Sequence, residues 1–179
     1  MSLFEPDRYL SSLASIDIKH DLLGRGLTHV LLDIDNTVRS REDGQIPLPI
    51  QKWIAKAKAA GVEFCLLSNN WHGDVYAFAE ELDMPVVAKA CKPLPFAYGP
   101  AMRIVGGTRE DTVAIGDQLI TDVVGAHVVG LPAWLVQPLC DVDVKSTALS
   151  RAVERALMDA RQPEPQPEGV IFEEGVIHD

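Results

Sequence analysis

Two patterns of apolar positions alternate along this chain. The runs Val30 to Leu32, Val62 to Leu67, Thr112 to Ile115 and Ala133 to Val136 are apolar almost without interruption. Short runs of this kind predict strands buried on both faces. Between them, apolar residues return at helical spacing. Ile50, Trp53, Ile54 and Ala57 follow Pro47 and Pro49 and stop before Gly61. Val75, Phe78, Ala79 and Leu82 predict a second helix, and a short strand is expected at Val86 to Ala88. A third helix, delayed by Pro100, is expected between Pro95 and Val105 and ends at Gly106 and Gly107. A continuous helix over Leu119 to Val128 and a last one over Leu149 to Met158 complete the series. Repeated strand-to-helix changes predict an α/β fold, a Rossmann-like doubly wound parallel sheet, over an all-β fold or a bundle. No internal repeat argues for a solenoid.

Residues 1–29 read as a lead-in packed on the core through Phe4, Tyr9, Leu10 and Leu13. Two readings of its middle stay open: Ile16 and Ile18 alternate like a short strand, or Asp17 caps a helical turn that stops near Gly24 or Gly26. Residues 30–160 form the main domain. Residues 161–179, with Pro163, Pro165, Pro167 and an acidic stretch, read as a flexible tail. A chain of 179 residues suits a single core, and its 47% hydrophobic and 23% charged content is that of a globular protein.

Charge narrows the partners. The formal net charge of −10 argues against a general nucleic-acid surface. It leaves phosphorylated substrates open, because a bound metal dominates its local field. Cys65, Cys91 and Cys140 lack metal-finger spacing, and Cys65 reads as a small buried hydrophobe. This usage and the absence of a secretion segment or a bilayer-length apolar stretch predict a cytoplasmic protein. Peripheral contact with the inner face of a membrane stays open through the lead-in.

Chemistry gathers where strands end. Asp33 closes the first apolar run and Asp35 follows it, Ser68 and Asn69 close the second, Lys92 lies in a later loop, and Asp117 with Asp122 follows the third. In an open α/β sheet these points share one edge, where ligands bind. Several carboxylates there repel one another unless a cation intervenes, and Mg²⁺ prefers oxygen ligands and ties protein to phosphate. Ser68 can donate to a phosphoryl oxygen and Lys92 can neutralise one. Asp122 has three readings: it orders a metal-bound water, it holds Lys92, or it caps the following helix. Gln118 contacts substrate or makes a local hydrogen bond. The five histidines show no metal-ligand spacing, and His72 reads as a surface residue at a helix start.

With these motifs in order, the chain resembles the haloacid dehalogenase-like phosphohydrolase superfamily. The matching strings are Asp33-Ile34-Asp35-Asn36-Thr37, Ser68, Lys92, and Gly116-Asp117 through Asp122. The strings SNN, KP and GDQLITDVVG further resemble the YqeG-like IIIA subfamily, related to phosphatidylglycerophosphate phosphatases. The resemblance implies Asp33 as nucleophile and Asp35 as proton carrier, with Ser68 and Lys92 positioning the phosphoryl group. It implies Mg²⁺ held by Asp33, the Asp35 carbonyl and Asp117, with Thr37, Asn69, Gln118 and Asp122 in supporting roles.

Family members often insert a cap domain after the first aspartate motif or between the serine and lysine motifs. Neither interval has room for one here, so the resemblance implies an uncapped site open to a phosphate on a large partner or a membrane. The leading expectation is Mg²⁺-dependent dephosphorylation of phosphatidylglycerophosphate, an anionic phospholipid, to phosphatidylglycerol. The alternatives are a phosphatase for a soluble sugar, nucleotide or phosphoprotein, and a nonhydrolytic phosphate-binding or scaffold protein. Arg39 and Arg41, in the loop after Thr37, are both candidates to meet outer anionic groups of the substrate.

Overall fold

The computed structural model describes residues 2–70, 73–140, 158 and 161–165. Six strands, β1 (Arg8–Leu10), β2 (His29–Asp33), β3 (Glu63–Leu67), β4 (Val86–Val87), β5 (Thr112–Gly116) and β6 (Ala133–Val136), form one sheet. All its pairings are parallel, in the order β1-β6-β5-β2-β3-β4. Helices α1 (Leu48–Ala59), α2 (Asp74–Glu81), α3 (Tyr98–Val105) and α4 (Gly125–Val128) pack around it.

Both faces of the sheet are covered, which explains the unbroken apolar runs. Val30 and Leu32 of β2 join Ile50, Trp53 and Ile54 of α1 in one core layer. Leu31 points the other way, into a layer with Tyr98 and Ala101 of α3. Neighbours along a strand face opposite sides, and here neither side is wet. Trp53 meets Phe64 edge-on at 5.9 Å and donates its Nε1 proton to the Ile16 carbonyl at 2.9 Å. That bond ties α1 to the lead-in.

The topology fixes where a ligand can sit. From β2 the chain winds outward through α1, β3 and α2 to β4, then crosses back to β5 on the other side of β2. Strand order therefore reverses between β2 and β5, and the crevice beyond their C-terminal ends is the switch point. Register brings the motif residues level there. Asp33 lies opposite Leu67, so Ser68 is the next residue out on β3, and Leu32 lies opposite Ile115, two residues before Asp117. Between β2 and α1, and again between Ser68 and Lys92, the described residues contain no cap-sized domain.

Two elements differ from their sequence expectations, and the structure decides a third that was open. Arg8–Leu10 is an edge strand paired with β6; three residues are too few to show a period. Ile18–Leu22 forms a π-helical turn whose cap, Asp17 Oδ1, accepts from the His20 amide at 2.9 Å. Of the two open readings of that stretch, the helical one describes it. The expected single helix after Gln118 is a π-helix over Leu119–Val124 followed by α4. Pro100 is accommodated in the first turn of α3, where an amide proton has no partner to lose.

Most of the expected last helix and everything from residue 166 lie outside the described residues. Residues 161–165, expected in the tail, lie against β1: the Glu164 amide donates to the Tyr9 carbonyl at 2.7 Å, and Arg8 Nε donates to Glu164 Oε2 at 3.0 Å.

Candidate active site

Lys92 is the hub of the site. Its ammonium is buried and donates to Asp33 Oδ1 at 2.5 Å, to Asp122 Oδ1 at 2.7 Å and to the Leu67 carbonyl at 3.1 Å. All three donor positions are thus committed. Asn69 fixes the backbone on which this side chain rides. Its Oδ1 accepts from the Lys92 amide at 2.7 Å, and its Nδ2 donates to the Lys92 carbonyl at 2.9 Å.

Burial and charge act against each other here. Burial alone would lower the Lys92 ammonium, but Asp122 and Asp33 together outweigh it and hold it above its ordinary value. For Asp33, burial is the largest influence and raises the carboxyl to about 6; Lys92 opposes the rise and Asp122 adds to it. Burial also pushes the Tyr98 phenol up. Tyr98 was not singled out from sequence, yet it lines a small cavity with Asp33, Lys92 and Asp122. Its hydroxyl donates to the Thr121 carbonyl at 3.2 Å.

Three carboxylates converge beside that lysine. Asp33, Asp117 and Asp122 each bring an oxygen within 4.8 Å of the others. One ammonium cannot balance three ionised acids, and Asp33 Oδ2 is buried with no hydrogen-bond partner among the described residues. An all-oxygen set with excess negative charge and an open lone pair fits a hard divalent cation.

Asp122 takes the second of its three sequence readings, as the partner of Lys92. Its other oxygen, Oδ2, accepts from the Gln118 amide at 3.1 Å, so the π-helix folds its own acid back over the end of β5. Gly116 permits this. A Cβ there would stand 2.2 Å from Asp122 Cγ. Gly116→Ala is therefore expected to displace the Asp122 carboxylate. It should weaken divalent-cation affinity by about 10-fold or more, as losses around a metal site do, with isothermal titration of Mg²⁺ as the check.

The structure does not bring the Asp35 carboxylate into the three-acid cluster. Its Oδ1 accepts from Arg39 Nε at 3.0 Å, and the same guanidinium reaches Asp74 Oδ2 at 3.1 Å while stacking 4.8 Å over the Phe78 ring. Arg39 is consumed inside the protein, which corrects the expectation that it reaches outward to substrate. Ser68 is buried and its Oγ accepts from the Asn70 amide at 3.0 Å. Thr37 is buried with its hydroxyl unpartnered among the described residues, and Gln118 Oε1 accepts from Thr121 Oγ1 at 3.4 Å. Asn36 has a left-handed φ of 66°. It also accepts from Cys140 Sγ at 3.0 Å and donates to the Cys140 carbonyl at 3.2 Å, tying the Asp33 loop to the segment after β6.

The remaining titratable candidates have structural partners. His20, His29 and His127 pair with Asp17, Asp111 and Asp7, and burial raises the Cys65 thiol to about 11, an inert value. His72 and His178 lie outside the described residues.

Comparison with known proteins agrees with this arrangement. Residues 90–138 match the HAD-hydrolase-like family model. The chain is 32% identical over 157 residues to the probable phosphatase YqeG of Bacillus subtilis, covering 88% of this chain and 91% of that protein. The cobalt-bound deoxy-D-mannose-octulosonate 8-phosphate phosphatase of Haemophilus influenzae shares the fold, with a TM-score of 0.51 at 13% identity, over 75% of this chain and 89% of that one. So does an uncharacterized protein of Listeria monocytogenes, with a TM-score of 0.51 at 14% identity, over 74% of this chain and 97% of that one. The chain belongs to the haloacid dehalogenase-like hydrolase superfamily, in the branch that holds YqeG.

Proposed function

We propose that this protein is a Mg²⁺-dependent phosphomonoester hydrolase that works through an aspartyl-phosphate on Asp33. The observation that carries the reading is the division of Asp33's two oxygens: Oδ1 is held by Lys92, and Oδ2 is buried without a partner beside Asp117 and Asp122. Lys92 fixes the carboxylate, whose uncommitted lone pairs are open to a cation and to phosphorus. Asp33, Asp117 and Asp122 would hold the cation, with the Asp35 carbonyl as the resemblance implies. When bound, Mg²⁺ supplies charge neutralisation for the phosphoryl oxygens.

In the first step the Asp33 carboxylate forms a bond to phosphorus as the bond to the leaving oxygen breaks, and that electron pair stays with the leaving oxygen. Asp35 gives it a proton. The Arg39 contact uses Asp35 Oδ1, so Oδ2 is the oxygen that exchanges the proton. In the second step water bonds to phosphorus, Asp35 takes the water's proton, and the Asp33 oxygen leaves. Ser68 Oγ accepts from Asn70 and keeps its own proton to donate to a phosphoryl oxygen. Lys92 holds Asp33 in line throughout.

The substrate reading is phosphatidylglycerophosphate, with the protein acting in the cytoplasm at the inner face of a membrane. The subfamily strings and an edge without a cap among the described residues support it, since a phosphate displayed on a bilayer needs an uncovered site. No helix among the described residues is long and apolar enough to cross a membrane, so this reading makes the contact peripheral. The test is phosphate release from this lipid in mixed micelles, beside soluble sugar, nucleotide and protein phosphomonoesters at matched concentration. Preference for the lipid, abolished by a chelator and restored by Mg²⁺, is the expected result. Equal or better turnover of the soluble esters sinks the lipid assignment, and binding without turnover of any ester sinks the hydrolase.

A further inference from the structure

Two arginines follow the Asp33 loop, and the structure treats them differently. Arg39 is bound on both sides by Asp35 and Asp74 and covered by Phe78. Arg41 has none of these partners. Its backbone amide donates to Asn36 Oδ1 at 3.1 Å, fixing it to the loop that carries Asp33 and Asp35. Asn36 in turn is fully buried and bonded to Cys140, so the anchor itself is rigid. The guanidinium Nη1 of Arg41 is buried and makes no hydrogen bond, and no carboxylate pairs with it among the described residues. A donor withdrawn from water and left unmatched is unfavourable unless something outside the fold completes it.

We infer that Arg41 binds a second anionic group of the substrate, a phosphodiester that is not hydrolysed. The inference rests on the proposed phosphatase reading and adds to it the residue that distinguishes substrates. Three features point to a phosphodiester. A guanidinium meets two oxygens of a phosphate at once in its own plane. Arg41 lies in the loop that leaves the C-terminal end of β2, with its amide held by Asn36, itself three residues after the proposed nucleophile, so the chain sets it on the edge where ligands bind. The cluster of Asp33, Asp117 and Asp122 repels a second anion, which favours a contact outside the cluster. No bond is made or broken at Arg41; its contribution is to binding.

The test uses two water-soluble esters with the same reacting end: a glycerol phosphomonoester, and the same monoester carrying a glycerol phosphodiester on its far hydroxyl. Wild-type protein is expected to prefer the two-phosphate ester. Arg41→Gln should lower kcat/KM for that ester by about 10-fold or more, the size of a lost charge-assisted hydrogen bond, mainly through KM. The fall for the one-phosphate ester should be several times smaller, and Arg41→Lys should recover part of the preference. Equal losses on both esters, or no loss on either, overturn the inference. Calorimetric binding of both esters to Asp33→Asn, with and without Arg41→Gln, separates this from the hydrolase reading. If neither ester is turned over, the phosphatase reading fails, while a selective loss of two-phosphate binding still supports Arg41 as the anion contact and an unselective result still removes it.

Discussion

Asp33→Asn is expected to lower turnover by about 10⁴-fold or more, the scale seen when a nucleophile is removed from a machinery that acts as a unit. The fold should survive the change. Asparagine matches aspartate in shape, its amide can still accept from Lys92, and Lys92 keeps Asp122 and the Leu67 carbonyl. A circular-dichroism melt close to that of the wild type, beside absent phosphate release, is the combined result that assigns the loss to chemistry. Wild-type turnover in that folded variant would remove Asp33 from the mechanism. Loss of the fold would show instead that the Asp33–Lys92 pair is needed for structure first.

Lys92→Met is expected to act on both stability and rate. The methionine fills much of the lysine's volume without its charge, leaving Asp33 and Asp122 facing each other inside the protein. Breaking a buried pair by removing one partner costs about 3–5 kcal/mol, read as a lower urea midpoint in cation-free buffer. Saturating Mg²⁺ should return part of that loss, because the cation meets the same carboxylates. Turnover should stay about 10²-fold or more below wild type even with Mg²⁺, since the charge that holds Asp33 in line is gone. An unchanged urea midpoint would mean that the carboxylates share a proton once the lysine is absent.

The two outcomes bear on what the sequence can and cannot reveal. Asp33, Ser68 and Asp117 were legible because each ends an apolar run, and parallel strands put their ends on one edge. The helices α1 and α2 were legible from spacing. Arg8–Leu10 was hidden because an edge strand of three residues carries no period. The double engagement of Asp122 was hidden for another reason: it depends on a π-helix that turns the acid back toward its own strand and on a glycine chosen for close approach. Neither leaves a mark distinct from an ordinary helix start. Arg39 and Arg41 look alike in sequence, and only the positions of Asp35, Asp74 and Phe78 separate them. Tyr98 reads as one more apolar position of a helix until it is found lining a cavity with Lys92 and Asp122, its hydroxyl on the Thr121 carbonyl. Strand ends are written locally, whereas partners brought in by packing are not.

The most direct test is to catch the phosphoryl group on the protein. Asp35→Asn, which removes the proposed base for the hydrolytic step, is mixed with Mg²⁺ and an aryl phosphomonoester, whose leaving group departs without the proton Asp35 would give, and quenched in acid. Its peptides are then mapped by mass spectrometry. The account predicts an alkali-labile phosphate on the peptide containing Asp33, absent when Asp33→Asn is added. Release of the leaving group with no phosphate on Asp33, or with phosphate on a different residue, would contradict it.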